Sequence, residues 1–143
     1  MKKKAFILML ILAVFSTMVL TACGGSKSLE QYVADNPEMQ KSIDSAKEGS
    51  NVEIKIEGNE ITYIFDLSKM DGYSEDIVKD EEVISSLETS LISSAPTFGG
   101  ISKQLEEQTK VKGITTTVNY TWEDEVLITK SFTSADAVED AAE

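Results

Sequence analysis

Between Val52 and Asp66, apolar and polar residues alternate on both sides of the dipeptide Gly58-Asn59. A period of two puts every second side chain on one face of an extended strand, and Gly-Asn is a two-residue hairpin loop. The segment predicts a β-hairpin with Val52-Glu53-Ile54-Lys55-Ile56-Glu57 against Glu60-Ile61-Thr62-Tyr63-Ile64-Phe65-Asp66. A two-residue loop sets Glu57 opposite Glu60, so Ile56 meets Ile61, Ile54 meets Tyr63 and Val52 meets Phe65. These six apolar residues fall on one face, so turn chemistry and hydrophobic pattern specify the same register.

A second alternation follows Gly113. Ile114, Thr116, Val118, Tyr120 and Trp122 share one face, with Thr115, Thr117, Asn119 and Thr121 on the other. After Glu123-Asp124-Glu125 come Val126, Ile128, Lys130 and Phe132. A three-residue loop pairs Trp122 with Val126 and Tyr120 with Ile128 and keeps one apolar face. A two-residue loop would turn Val126 and Ile128 to the polar face, so the three-residue register is expected, although Glu125 is not an ideal residue for its left-handed position.

Helices flank the hairpins. Ser28-Leu29-Glu30-Gln31 reads as a capping box before Leu29, Tyr32 and Val33, and Asn36-Pro37 starts a second helix that carries Met39 and Ile43 to about Glu48, with Gly49 ending it. Met70-Asp71-Gly72 is a turn. Ser74 then caps a helix with Glu75 and Asp76 in its first turn and Ile77, Ile84, Leu87 and Leu91 on its apolar face. Pro96 and Gly99-Gly100 predict its end, and Phe98, Ile101 and Leu105 a shorter helix to about Thr109. The order ααββααββ predicts an α+β fold, a four-stranded antiparallel sheet from two hairpins with helices packed on one face. The other face is polar and threonine-rich: Thr62, Thr115, Thr117, Thr121 and Thr129, with Glu53, Lys55 and Ser131.

The N-terminus reads as an address. Lys2, Lys3 and Lys4 precede a nearly unbroken apolar run from Ala5 to Leu20, the layout of a secretory signal and short for a permanent membrane span. Leu20-Thr21-Ala22-Cys23 resembles the lipobox of bacterial lipoproteins. The resemblance implies cleavage between Ala22 and Cys23 and a diacylglyceryl group on the Cys23 thiol. On this reading residues 1–22 are signal peptide, 23–27 the lipidated Cys and a flexible tether, 28–132 a single domain, and 133–143 an acidic, disordered tail. Two acyl chains hold a protein firmly at a bilayer. Cleavage also removes three of the 13 lysines from a chain of net charge −12, so an anionic membrane surface repels the domain itself. The membrane is thus a partner through the lipid alone, on the extracytoplasmic face.

Chemistry is constrained by what the composition omits. The chain has no His, no Arg and one Cys, so His catalysis, His-ligated metals and internal disulfides are excluded. An acidic chain without Arg is a poor ligand for phosphate backbones, and nucleic acid is not an expected partner. Ser26-Lys27-Ser28 sits in the tether, where no scaffold positions a nucleophile and base. Asp80-Glu81-Glu82, Glu106-Glu107 and Glu123-Asp124-Glu125 read as solvated acids. Asp66, Asp71, Glu75 and Asp76 flank a glycine turn but miss the EF-hand pattern: with Gly72 at loop position six, Leu67, Lys69 and Val78 fall where ligands belong. Tyr63, Phe65, Tyr120, Trp122 and Phe132 read as core. No catalytic or metal-ligating residue is nominated, and no cofactor.

The stretch from Ser28-Leu29-Glu30-Gln31-Tyr32 through Asn36-Pro37 and the Val52–Asp66 hairpin to Leu67-Ser68-Lys69-Met70 resembles a domain-of-unknown-function family of small Firmicutes lipoproteins. The resemblance implies a Gram-positive envelope location and carries no activity or functional residue. The expected function is a non-enzymatic binding or interaction module at the cell envelope, touching a protein or polymer. The alternative is a solute- or cation-binding accessory of a membrane transporter or sensor. A carboxylate pair such as Glu53 and Asp66 converging in a pocket would favour an enzyme.

Overall fold

A computed structural model describes residues 28–48 and 50–137. Cys23, Ala22, the apolar N-terminal run and the Gly49 helix stop lie outside them. Helices α1 (Leu29–Ala34) and α2 (Pro37–Glu48) lead into strands β1 (Val52–Glu57) and β2 (Glu60–Asp66). Helices α3 (Glu75–Val78), α4 (Glu81–Ser93) and α5 (Ala95–Thr109) lead into β3 (Thr115–Trp122) and β4 (Glu125–Thr133). The four strands form one sheet in the order β1-β2-β3-β4, with helices packed on it, as the α+β reading expects.

The first hairpin has the predicted register at every pair, from Glu57 with Glu60 to Val52 with Phe65. Its loop has Gly58 at φ 57°. Helix α1 is tied to this loop: Ser28 Oγ accepts the Gln31 N–H at 3.2 Å, Asn59 Oδ1 accepts the Leu29 N–H at 3.0 Å, and Glu30 Oε2 accepts the Gly58 N–H at 2.8 Å.

Antiparallel pairing holds within each hairpin. Between them, β2 and β3 are parallel, Glu60 beside Thr115 and Asp66 beside Thr121. The sheet is therefore mixed rather than wholly antiparallel. The cause is the crossover. The chain leaves β2 at Asp66, three helices carry it back to the loop end of the first hairpin, and there the Thr115 N–H donates to the Asn59 carbonyl at 3.0 Å. β3 thus starts where β2 starts.

The second hairpin departs from its expected loop. Glu123 and Asp124 form a two-residue turn, Trp122 pairs with Glu125, and Thr121 pairs with Val126. A bulge between Tyr120 and Thr121 then restores the predicted Tyr120–Ile128 pair. Val126 stands opposite Thr121 and is 54% exposed. The left-handed position is Glu123, at φ 53°, and not Glu125.

Two helix boundaries also differ. The continuous helix expected from Ser74 to Leu91 breaks before α4, because Asp80 has extended backbone and its carboxylate accepts the Glu82 N–H at 2.8 Å. An aspartate cap starts a new helix there. The break buries Val78 and leaves Ile77 exposed. The helix does end inside the expected segment, at Ser93 just ahead of Pro96, but the Gly99-Gly100 pair makes no break. Pro96 lies in the first turn of α5, where its missing N–H costs nothing, and both glycines are helical. A Cβ on Gly99 would sit 2.4 Å from the Ala137 N and 2.8 Å from the Thr133 O, so this glycine admits the chain that follows β4. That chain, the start of the segment read as tail, forms a 3-10 turn over Ser134–Asp136, capped by Asp136 Oδ2 on the Thr133 N–H at 2.8 Å.

The core lies between the helices and one sheet face. Leu29, Met39, Ile43, Ile61, Tyr63, Phe98, Ile101, Leu105 and Val118 are buried in it, and Phe98 stacks on Phe132 with centroids 5.3 Å apart. One polar pair is buried too: Ser102 Oγ and Thr116 Oγ1 are 2.8 Å apart, and Ser102 donates to the Phe132 carbonyl at 3.2 Å. The Tyr63 hydroxyl is buried without a partner among the described residues, and burial pushes its pKa up.

Candidate functional site

The sheet face that no described helix covers carries Glu53 and Lys55 from β1, Thr62, Ile64 and Asp66 from β2, Thr115, Thr117, Asn119 and Thr121 from β3, and Thr129 and Ser131 from β4. Three of its hydroxyls bond across strands. Thr117 Oγ1 and Ser131 Oγ are 2.9 Å apart, and Thr129 Oγ1 donates to Asn119 Oδ1 at 2.6 Å. Thr117 and Thr121 are buried although they belong to the open face, because β3 is central and strands on both sides cover its short side chains.

At the Asp66 end this face opens into a groove of about 600 Å³. Glu53, Ile64 and Thr121 line it on the sheet, and Lys47, Asn51, Lys69, Glu123 and Asp124 surround them, with the Asn51 side-chain amide donating to the Lys69 carbonyl at 3.3 Å. The Thr121 hydroxyl is buried here without a partner among the described residues.

Glu53 and Asp66 therefore share a groove, but their environments do not make an acid–base pair. Asp66 Oδ1 accepts from the Ser68 hydroxyl at 2.6 Å, the Ser68 N–H at 3.1 Å and the Glu123 N–H at 3.2 Å, while Lys69 Nζ lies 3.1 Å from Oδ2. Burial pushes the carboxyl up, but these four interactions outweigh it and hold it below the ordinary carboxylate value. Glu53 is exposed and lies 3.4 Å from Lys55 Nζ. Acid–base catalysis needs a carboxyl poised near neutrality, whereas Asp66 is a fastener between β2, the 3-10 turn Leu67–Lys69 and the tip of the second hairpin.

The acids flanking Gly72 are spread over separate partners. Glu75 accepts from Lys79 Nζ at 2.8 Å, which lowers its pKa, and Asp66 faces Ser68 and Lys69. Among the described residues no three acidic side chains converge as ligands. Glu106, read as a solvated acid, accepts the N–H groups of Gly113 and Ile114 at 2.9 and 3.0 Å and fixes the entry to β3. Tyr63, Phe65 and Phe132 are buried and Tyr120 and Trp122 half-buried. No helix among the described residues is long and apolar enough to cross a membrane.

The groove was reachable from the sequence only in part. The alternation assigns Glu53, Asp66 and Thr121 to one face, but the parallel β2–β3 pairing that sets Asp66 beside Thr121 depends on the crossover, which no local pattern reports. One family model covers residues 29–132, nearly all of the described domain, and its description is a domain of unknown function. No curated protein and no solved structure matches the chain.

Proposed function

The chain belongs to the DUF4854 family, and from that premise we propose that it is a non-enzymatic binding module held at the extracytoplasmic face of the cell membrane by lipid on Cys23, with the open sheet face as its contact surface for an envelope protein or polymer. The observation that carries the reading is the composition of that face. Most of its hydroxyls bond neighbouring side chains on the same face, its groove is lined by no aromatic side chain among the described residues, and Glu53 and Asp66 are engaged by lysines and by backbone donors. Such a surface is broad and polar, suited to many weak contacts rather than to one enclosed small molecule. The unpartnered Thr121 hydroxyl in the groove favours the alternative of a small polar solute, presented to a transporter or sensor.

Two measurements test this. A photo-crosslinking residue at Thr129 or Ser131 in intact cells is expected to give a discrete adduct, and one at Glu88, on the helix layer, is not. Equal capture from both positions, or from neither, overturns the assignment of the face. Cys23→Ala is expected to abolish lipid labelling and membrane fractionation, and unchanged fractionation overturns the anchor.

A further inference from the structure

We propose that Asp71 and Gly72 form a site of spontaneous chain modification, at which the aspartate converts to isoaspartate through a cyclic imide. Asp71 is the only aspartate of the chain that precedes a glycine. The pair makes the turn between the 3-10 turn Leu67–Lys69 and helix α3, and both residues are exposed. Neither the Asp71 carboxyl nor the Gly72 N–H has a hydrogen-bond or ion-pair partner among the described residues. Gly72 has φ 92°, and a Cβ built on it would meet nothing within 4 Å, so the turn is open on the glycine side. The backbone bonds that flank the pair are local. The Met70 N–H donates to the Leu67 carbonyl at 3.1 Å and the Val78 N–H to the Ser74 carbonyl at 3.0 Å. Turns held by such short-range bonds open at little cost in free energy, which lets Asp71 rotate into position for attack.

The chemistry needs only water. The Gly72 nitrogen bonds to Cγ of the Asp71 carboxyl in its acid form, the nitrogen's proton and the carboxyl OH leave together as water, and a five-membered imide closes. Water then opens the ring at either carbonyl. Breaking the bond from nitrogen to Cγ restores aspartate. Breaking the bond from nitrogen to the main-chain carbonyl carbon leaves the chain running through Cγ, with a free carboxylate on Cα. Mass and charge end unchanged, and the backbone gains one carbon between α3 and the turn whose Ser68 and Lys69 line the groove. Other aspartates are held back. Asp44 precedes the small residue Ser45, but the pair lies inside α2, where the Ser45 N–H belongs to the helix ladder, and its carboxylate accepts from the Gln40 amide at 3.3 Å. Asp66 precedes Leu67, and its carboxylate is held by Ser68, Lys69 and the Glu123 N–H.

Ageing the folded full chain in heavy-oxygen water at neutral pH tests the site, because each passage through the imide leaves one solvent oxygen in the product. Cleavage after Lys69 and Lys79 isolates the segment Met70–Lys79 for fragmentation by mass spectrometry. Label is expected at Asp71, with isoaspartate exceeding relabelled aspartate. Its rate of appearance should lie within roughly threefold of that in a synthetic peptide of the same ten residues, because the fold gives this turn almost no protection. Asp71→Glu keeps the charge but would need a six-membered ring, and should bring the label below detection. Asp71→Asn should accelerate labelling about tenfold or more, since at neutral pH the amide loses ammonia more readily than the carboxylate loses water. The position is exposed, and melting temperatures close to wild type confirm that both variants fold. A folded chain that stays unlabelled while the peptide reacts, label spread equally over Asp44 and Asp66, a glutamate variant that labels like wild type, or an asparagine variant that is no faster each overturns the proposal.

Discussion

The two halves of the molecule repeat a plan, helices followed by a hairpin, yet they hold their hairpins differently. In the first, a glycine turn and six consecutive pairs agree without irregularity. In the second, the two-residue turn at Glu123-Asp124 and the buried face of Ile128 are out of phase by one residue, and a bulge absorbs the difference. Burial sets the register deep in the strand, while the loop sets it at the tip. Where the two disagree, the strand spends one residue to satisfy both. The second half also depends on contacts far apart in sequence, since the turn after β4 closes over α5 at Gly99.

That dependence is where the comparison breaks most readily. Gly99→Ala sets a methyl group 2.4 Å from one backbone atom and 2.5 Å from another, and neither can yield as a flexible side chain would. We expect a loss of about 3 kcal/mol or more in urea unfolding, with the Ser134–Asp136 turn displaced. Gly100→Ala is the control. Its Cβ meets nothing within 4 Å, and a helical alanine there should gain up to about 1 kcal/mol. Equal effects at the two glycines would mean that the turn after β4 does not rest on α5.

Gly99 also shows why some of the fold was legible and some was not. Alternation and capping act over a few residues, so the first hairpin, α1, α2 and the order of elements are readable from the chain. A glycine pair looks alike whether it ends a helix or admits a backbone from elsewhere, and only the distant partner distinguishes the cases. Asp80 reads as one acid of a charged run until its backbone turns extended and its side chain caps α4. The Ser102–Thr116 pair joins a helix to a strand, and the groove at Asp66 needs β3 to lie parallel to β2. Each of these depends on tertiary neighbours that no local period encodes.

Asp66 links the two halves and sharpens the comparison through pH. Its carboxyl is held below the ordinary value in the folded state by Ser68, Lys69 and Glu123 against the opposing effect of burial. A depressed folded pKa means that the stabilisation is complete above the unfolded value, near 4, and is lost as pH falls through the folded value. Asp66→Asn is expected to cost about 1–2 kcal/mol at pH 7 in chemical unfolding, and the gap from wild type should narrow steadily below about pH 4. A gap that persists unchanged at pH 2 would show that Asp66 acts through packing rather than charge.

The smallest effects lie in the turns themselves, and there the two hairpins should respond in opposite directions. Gly58 and Glu123 both adopt positive φ, 57° and 53°, a region that costs a residue with a Cβ about 1 kcal/mol and glycine almost nothing. Gly58→Ala should therefore destabilise the first hairpin by about 1 kcal/mol, although its Cβ would meet no other atom within 4 Å. Glu123→Gly should stabilise the second by about 0.5–1 kcal/mol while keeping the N–H that donates to Asp66. Thermal unfolding of the two variants separates conformational cost from contact. If Glu123→Gly lowers the melting temperature, the glutamate side chain contributes more than its backbone strain takes away, and the bulged hairpin owes its tip to that side chain rather than to the loop geometry alone.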